Sequence, residues 1–246
     1  MSLLTLDRLD VRHGLLKAVR EVSCDIADGE ILALVGANGA GKSTLLRAIA
    51  GAHLPAGGRI VFDGVDVTTM RAHNRVALGI ALVPEGRRLF TTMTVEENLA
   101  VACASGRPGR WSIDTVMTLF PMLRARRKAR AGNLSGGERQ AVVIGRALVT
   151  NPRLILLDEV SLGLAPLVVE GLYRSLHSLF EGGATLVLVE QDLNRVLGVA
   201  SRVVCMLEGR IVLDGRAGEL TRDQIIEAYF GLRRGSGRDD KVQGQP

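Results

Sequence analysis

Aromatic side chains are scarce in this sequence and make up only 3% of its 246 residues. Proteins that hold single-stranded nucleic acid stack its bases on aromatic rings, so this scarcity argues against nucleic acid as a partner. Lysine is also rare: only four of the 31 basic residues are lysines, although the formal net charge is +5. The arginine-rich balance predicts a solvated basic face with some attraction to anionic lipid headgroups or an acidic partner protein.

Long apolar runs are absent, although 47% of the residues are hydrophobic and the mean hydropathy is +0.21. No run approaches the roughly 18 residues that a membrane-spanning helix needs. The first residues, MSLLTLDRLDV, lack the basic segment, the apolar core and the small-residue cleavage site of a signal peptide. These absences predict a protein that stays in the cytoplasm.

Cysteines are few, and none has the spacing of a metal ligand. Cys24, Cys103 and Cys205 are odd in number and far apart in the chain. This pattern argues against a disulfide framework or a zinc site. We expect all three to pack in the core.

The hydrophobic residues that are present come in short uninterrupted blocks. Three of these blocks cover Ile31–Val35, 154–157 and 186–189. Strands that are buried on both faces have this texture, which is typical of a parallel sheet covered by helices. The sequence therefore predicts an α/β fold with a mainly parallel sheet.

Two regions depart from this regular pattern. Residues 3–11 and 18–26 alternate in polarity and predict an antiparallel β region at the N-terminus. Residues 91–150 have helical patterning broken by glycine and proline, and Thr94 with Glu97 forms a capping box, so we predict an inserted helical subdomain. We expect one domain over residues 1–233, followed by a polar, glycine-rich and disordered tail over 234–246.

The stretch GANGAGKS, residues 36–43, matches the phosphate-binding loop motif and lies between an apolar strand and a helix, as that motif requires. Its glycines allow backbone N–H groups to surround phosphates, and the helix presents the positive end of its dipole to them. Lys42 is predicted to reach the β and γ phosphates, Ser43 to ligate Mg²⁺, and Thr44 to contact the α phosphate. The candidate nucleotide-binding residues here are Gly36, Asn38, Gly39, Ala40, Gly41, Lys42, Ser43 and Thr44.

A second motif, LILLDE, delivers two carboxylates at the end of a predicted buried strand. Ligands of open α/β sheets bind at this edge. Asp158 is expected to hold Mg²⁺ through water. Glu159 is placed to orient and deprotonate an attacking water, a role that typically contributes about 10²- to 10⁴-fold in rate.

A third motif, LSGGE at residues 134–138, resembles the signature of the ABC ATPase family. Its glycine pair at a predicted helix N-terminus forms a second anion cradle, which one chain cannot readily fold onto its own phosphate-binding loop. The plainer interpretation of Ser135 is a helix cap. The resemblance implies a head-to-tail dimer of P-loop NTPase domains, in which the signature of one subunit contacts the γ phosphate bound by the other. The signature residues implied to bind nucleotide are Ser135, Gly136, Gly137 and Glu138.

Three further stretches resemble one subgroup of this family. PEGRRLF at 84–90, SLGLAP at 161–166 and VEQD at 189–192 are similar to the second ATPase subunit of branched-chain amino acid importers. Importers of urea or other amides are built alike, so the solute stays open. Glu85 replaces the usual Mg²⁺-contacting glutamine, and Gln191 replaces the usual switch histidine. His13 stands where an aromatic residue stacks on adenine, and Val160 replaces the proline that usually follows the catalytic glutamate.

This resemblance implies an ATP- and Mg²⁺-dependent engine, peripheral on the inner face of the membrane. Its implied partners are a second ATPase subunit, either identical or a sister chain, transmembrane permease subunits and, indirectly, a periplasmic solute-binding protein. The catalytic residues expected are Glu159, Lys42 and Gln191, and the metal ligands Ser43, Glu85 and Asp158. Two alternatives stay open: a soluble ABC ATPase of translation or DNA repair, and a nucleotide-binding module without catalysis.

Overall fold

The computed structural model describes residues 2–181, 183–190 and 192–232. Gln191 and the tail over 234–246 lie outside these residues. The described chain forms two β-sheets, one of four strands and one of six, with helices packed around them.

The four-stranded sheet contains the predicted antiparallel region. Its strand order is β2-β1-β4-β5, and each neighbouring pair is antiparallel. Leu4, Leu6 and Leu9 of the first strand are buried in the same core as the phosphate-loop helix. The strands are β1 (Ser2–His13), β2 (Leu16–Ala27), β4 (Gly57–Phe62) and β5 (Val65–Asp66).

The six-stranded sheet has the order β10-β9-β3-β8-β7-β6, and its strand pairs are parallel except for β10, which pairs antiparallel with β9. All five residues of β7 and all five of β8 are buried, which explains their uninterrupted apolar sequences. The predicted mainly parallel α/β fold is confirmed. The strands are β3 (Ile31–Val35), β6 (Ile80–Val83), β7 (Leu154–Asp158), β8 (Thr185–Val189), β9 (Arg202–Leu207) and β10 (Arg210–Arg216).

The helices connect these strands, and four of them lie within the segment 91–150. Residues of that segment, among them Leu99 and Phe120, share a core with Ile155 and Leu188 of the sheet. The helical segment therefore packs on one face of the parallel sheet. The helices are α1 (Lys42–Ile49), α2 (Ala72–Leu78), α3 (Val95–Cys103), α4 (Ile113–Leu119), α5 (Pro121–Ala125), α6 (Gly136–Leu148), α7 (Pro166–Glu181), α8 (Leu193–Val199) and α9 (Arg222–Phe230), with a 3₁₀ turn over Ala131–Asn133.

The cysteines only partly follow the prediction. Cys205 is buried in β9 and Cys24 is partly buried, but Cys103 is exposed. The expectation that Cys103 packs in the core is wrong, because it is the last residue of α3 and its side chain lies at the surface.

The side chain of Arg75 in α2 is fully buried and binds the C-terminal end of α1. Its Nη1 atom donates to the carbonyl oxygens of Ala48 and Ile49, at 2.8 and 2.9 Å. Its other donors reach the carbonyl oxygens of Met70 and Thr68, at 2.9 and 3.0 Å. Since the last carbonyls of a helix have no partner within it, this arginine caps α1 from outside.

Candidate nucleotide site

The phosphate-binding loop has the predicted strand–loop–helix setting, between β3 and α1. Two of its glycines are required by close backbone neighbours: a Cβ at Gly36 would lie 2.2 Å from the carbonyl oxygen of Met206, and one at Gly41 2.3 Å from that of Ala18. Gly39 has a φ of +84° and nothing within 4 Å of such a Cβ. The loop thus encloses an open concave space of the kind that phosphates fill.

Lys42 is buried at the base of this loop. Its Nζ atom donates to the carbonyl oxygens of Gly36 and Ala37, at 2.6 and 3.0 Å. Burial lowers the pKa of Lys42, while the carboxylates of Glu159 and Asp158 act in the opposite direction. The ammonium group is therefore held by loop carbonyls at the edge of the cradle.

Asp158 and Ser43 meet across 115 residues of sequence. The Ser43 hydroxyl donates to Asp158 Oδ1 at 2.8 Å. Asp158 is fully buried, and its Oδ2 atom has no hydrogen-bond partner among the described residues. Burial raises the pKa of this carboxyl, an effect that the Ser43 hydrogen bond and the positive charge of Arg47 partly oppose. An orphaned carboxylate oxygen beside a hydroxyl is a donor set that suits Mg²⁺.

Glu159, the residue after Asp158, has an unusual backbone conformation. Its φ is +47°, in the left-handed region that non-glycine residues seldom occupy, and its N–H donates to the carbonyl oxygen of Val189 at 3.0 Å. Glu159 and Glu85 line the same cleft as Lys42, Ser43 and the loop. The cleft has a volume of about 550 Å³.

His13 lies at the outer end of this cleft, at the tip of the β1–β2 hairpin. Its Nε2 atom shares a hydrogen bond of 3.1 Å with the Thr44 hydroxyl. The ring of His53 lies edge-on to it, with the two centroids 4.7 Å apart, and His53 Nε2 bonds the Arg12 carbonyl oxygen at 2.7 Å. Sequence reasoning missed His53, because no local pattern links residues 40 positions apart.

The signature segment begins α6. The Ser135 hydroxyl accepts from the Glu138 N–H at 3.3 Å, and a Glu138 carboxylate oxygen accepts from the Ser135 N–H at 2.7 Å, which together form a capping box. The other oxygen of Glu138 accepts from Arg126 at 3.1 Å. None of residues 134–138 lines the cleft around Lys42. Within one chain, then, the signature segment lies outside the cleft that the phosphate-binding loop lines.

Gln191 lies outside the described residues, so the structure places only its neighbours. Glu190 is buried at the end of β8. Asp192 caps α8, its side chain accepting from the N–H groups of Asn194 and Arg195. Because β7 and β8 are parallel neighbours, β8 ends at the same edge of the sheet as Asp158.

The fold and the cleft define a P-loop ATPase of the α/β class. The family model for ABC transporters matches residues 19–161, more than half of the chain, and the chain belongs to that family. The resemblance proposed from the three motifs is confirmed. Among the described residues, no helix has the length and apolar character for crossing a bilayer.

Two relatives are similar over nearly their whole length. The chain is 41% identical over 232 residues to the high-affinity branched-chain amino acid transport ATP-binding protein BraG of Pseudomonas aeruginosa, covering 93% of this chain and 100% of that protein. It is 35% identical to the probable branched-chain amino acid transport ATP-binding protein LivF of Archaeoglobus fulgidus, covering 89% and 94%.

Solved structures show the same architecture. A nucleotide-free ATP-binding cassette from an ABC transporter superposes with a TM-score of 0.80 at 27% identity, covering 93% of this chain and 99% of that one. The ADP conformation of another such cassette gives a TM-score of 0.80 at 28% identity, covering 94% and 99%.

Proposed function

We propose that this chain is the ATP-hydrolysing subunit of an importer, with branched-chain amino acids as the solute. The observation that carries the solute class is the full-length match at 41% identity to a branched-chain amino acid transport ATP-binding protein. Urea or another amide is the alternative that the sequence left open. The chain itself works at the inner membrane face, against permease subunits that receive solute from a periplasmic binding protein.

In this proposal the phosphates of ATP lie in the loop between β3 and α1. Lys42 exchanges its loop carbonyls for the β and γ phosphate oxygens, and the loop N–H groups and the α1 dipole neutralise the remaining charge. Thr44 reaches the α phosphate. His13, already at the mouth of the cleft, stacks on the adenine ring.

Ser43 and Asp158 are the residues that would hold Mg²⁺, and Glu85 adds a carboxylate at the same edge. When bound, the ion draws charge from the β and γ phosphate oxygens. The Oδ2 atom of Asp158 is buried and has no hydrogen-bond partner among the residues that the structure describes, which supports a role as a metal ligand.

Glu159 acts as general base toward a water in line with the γ phosphate, and Gln191 donates a hydrogen bond to that phosphate. Because glutamine does not titrate, position 191 adds no ionisation near pH 6.5 to the pH–rate profile. The left-handed backbone of Glu159 directs its carboxylate into the cleft.

The second anion cradle supports a dimer. Ser135, Gly136 and Gly137 stand at the N-terminus of the 13-residue helix α6 but do not line their own chain's cleft. We infer that they bind the γ phosphate held by another subunit, so that ATP closes two chains head to tail and hydrolysis reopens them. Glu138 caps α6 by accepting from the Ser135 N–H, and its contact with nucleotide stays a prediction.

The test compares the wild type with Glu159→Gln. Wild-type protein should hydrolyse ATP, and Glu159→Gln should bind ATP with similar affinity while its kcat falls about 10²- to 10⁴-fold. Equal turnover by both proteins would refute the assignment of the base.

For the solute, the chain is reconstituted in vesicles with the permease subunits encoded beside it, and ATP-dependent uptake of leucine and of urea is compared. Uptake of leucine alone supports the proposal; uptake of urea alone replaces the solute class.

A further inference from the structure

The loop that follows Glu159 is held by two charged side chains from distant parts of the chain. This loop covers residues 161–164 and is called the D-loop below. Two backbone hydrogen bonds shape it: Leu162 N–H donates to the Glu159 carbonyl oxygen at 3.2 Å, and Leu164 N–H to that of Ser161 at 3.2 Å. A displacement of the D-loop would therefore be passed directly to Glu159.

Glu190 holds the first residue of the D-loop. The Ser161 hydroxyl donates to Glu190 Oε2 at 2.8 Å, and the Ser161 N–H donates to Oε1 at 3.3 Å. Glu190 is only 3% exposed, and its backbone directly precedes Gln191. Tyr173 lies beside it: burial and then the negative charge of Glu190 raise the pKa of that phenol. A buried carboxylate that accepts two hydrogen bonds from one residue fixes the position of that residue strongly and specifically.

Arg87 holds the outer half of the D-loop. Its Nη2 atom donates to the carbonyl oxygens of Leu162 and Gly163, at 2.9 and 3.3 Å, and its Nε atom to Gln140 Oε1 of α6, at 3.3 Å. Arg87 has a φ of +47° and comes two residues after Glu85. One planar guanidinium thus joins the segment of Glu85, the D-loop and the signature helix.

Arg87 also lies close to the N-terminus of α6, the signature helix. A Cβ at Gly136, the first residue of α6, would lie 3.1 Å from Arg87 Nη1. Glu85, Arg87, Gln140, Glu159 and Leu162 line one cavity of about 300 Å³ that continues the nucleotide cleft toward α6. Arg87 and Glu190 are thus close in sequence to Glu85 and Gln191, the residues that would contact the metal and the γ phosphate.

We propose that Arg87 and Glu190 are positioning residues for hydrolysis: together they fix the D-loop and, through it, the carboxylate of Glu159. This inference rests on the proposed function. It assigns a role to two residues that the three motifs leave unexplained. Displacing a general base by about 1 Å can lower the rate about 10²-fold, and Glu159 has a strained backbone that its surroundings must fix. Losing the contacts of Arg87 or Glu190 with the D-loop should therefore lower kcat measurably.

The test uses the full chain and four variants. Arg87→Ala removes the guanidinium contacts with the D-loop, and Glu190→Gln removes the charge that strengthens the two hydrogen bonds from Ser161. Arg216→Ala and Glu219→Gln break an exposed ion pair of the same charges elsewhere. We expect kcat to fall at least 10-fold in the first two variants, with the KM and Kd for ATP within about 3-fold of wild type. Both control variants should retain wild-type kcat.

Hydrogen exchange gives a readout besides activity. The amides of Ser161, Leu162 and Leu164 should exchange at least 10-fold faster in Arg87→Ala and Glu190→Gln than in either control, at an unchanged unfolding midpoint. Unchanged exchange overturns the proposal, and so does faster exchange with wild-type kcat. Arg87→Lys, which can bond one carbonyl but lacks the planar fork, should recover part of the loss.

A double-mutant cycle separates positioning from general damage. Ser161→Ala removes the hydroxyl donor and Glu190→Ala removes the acceptor oxygens, so both variants break the same side-chain hydrogen bond and their effects on kcat should be far from additive. Additive effects, or losses that follow a lower unfolding midpoint, contradict the inference. Wild-type protein that binds ATP without hydrolysing it contradicts the proposed function itself, whereas an active wild type with unaffected variants contradicts this inference alone.

Discussion

Asp158 illustrates how one residue can serve function at the expense of stability. Its side chain is fully buried, one oxygen has no partner among the described residues, and burial raises its pKa. A carboxyl whose folded pKa lies above the unfolded value contributes stability at low pH, which is lost as the pH rises through the folded pKa. Above its folded pKa, Asp158 therefore costs the nucleotide-free protein the burial of an ionised carboxylate.

We predict that Asp158→Asn stabilises the nucleotide-free protein at pH 7.5 by about 1 kcal/mol, the scale of one unsatisfied buried polar group, while abolishing hydrolysis. The advantage over wild type should shrink as the pH falls through the pKa of Asp158. Urea denaturation of both proteins at several pH values measures it. A variant that is less stable than wild type at pH 7.5 would contradict this account.

At this scale the motif residues were predictable and their distant partners were not. Lys42, Ser43 and Asp158 meet as expected, because a short motif fixes the local backbone and the sheet fixes where its strands end. His53 and Glu190 escaped notice, since their contacts join segments without any sequence period. Residue roles at the cleft stay predictions until variants are measured.

Among the elements, α3 and α6 offer a matched comparison. Each begins with a capping box, Thr94 with Glu97 and Ser135 with Glu138. We expect Thr94→Ala and Ser135→Ala each to lower the free energy of unfolding by about 1 kcal/mol, because each loses the same cap. Only Ser135→Ala should also weaken ATP-dependent dimerisation, measured by analytical ultracentrifugation in a Glu159→Gln background. If both variants dimerise normally, Ser135 is a cap and nothing more.

The buried arginine of α2 gives a second element-scale prediction. Arg75→Ala removes the side-chain donor to four carbonyl oxygens, of which, among the described residues, only that of Ala48 keeps a second donor, the Gly51 N–H, and it creates a cavity, so we expect a loss of roughly 3–5 kcal/mol in unfolding free energy. Arg59→Ala, which removes an exposed ion pair with Asp66, should cost less than about 1 kcal/mol. Chemical denaturation compares them, and equal losses would show that Arg75 does not support α1.

Most elements were predictable because their apolar patterns are strong. The strand Ile31–Val35 has the predicted bounds, β8 begins one residue before the predicted block 186–189, and the capping box of α3 is present. The elements α2, β10 and α9 were not assigned from the sequence. Arg75 is the buried residue of α2, so this helix lacks a continuous apolar stripe, and α9 is short, with Ile225 buried and Ala228 and Tyr229 only partly buried.

For the whole molecule, the head-to-tail dimer makes a geometric prediction. In a Cys103→Ser, Glu159→Gln background, cysteines introduced at Ser135 and at Asn38 of separate chains should crosslink with ATP and not with ADP. Replacing Cys103 matters because that thiol is exposed. Asn38 suits the purpose because it is exposed and lines the cleft. Crosslinks that form equally well without nucleotide would argue against ATP-driven closure.

The anchoring of α1 by Arg75 bears on where motion can occur in such an assembly. The C-terminal end of α1 is tied to α2 through the carbonyl oxygens of Ala48 and Ile49. The helices over 91–150 pack in a different hydrophobic core from α1. If bound phosphates pull on the N-terminal end of α1, we therefore expect α1 and α2 to move as one body, with relative motion between them and the helices over 91–150.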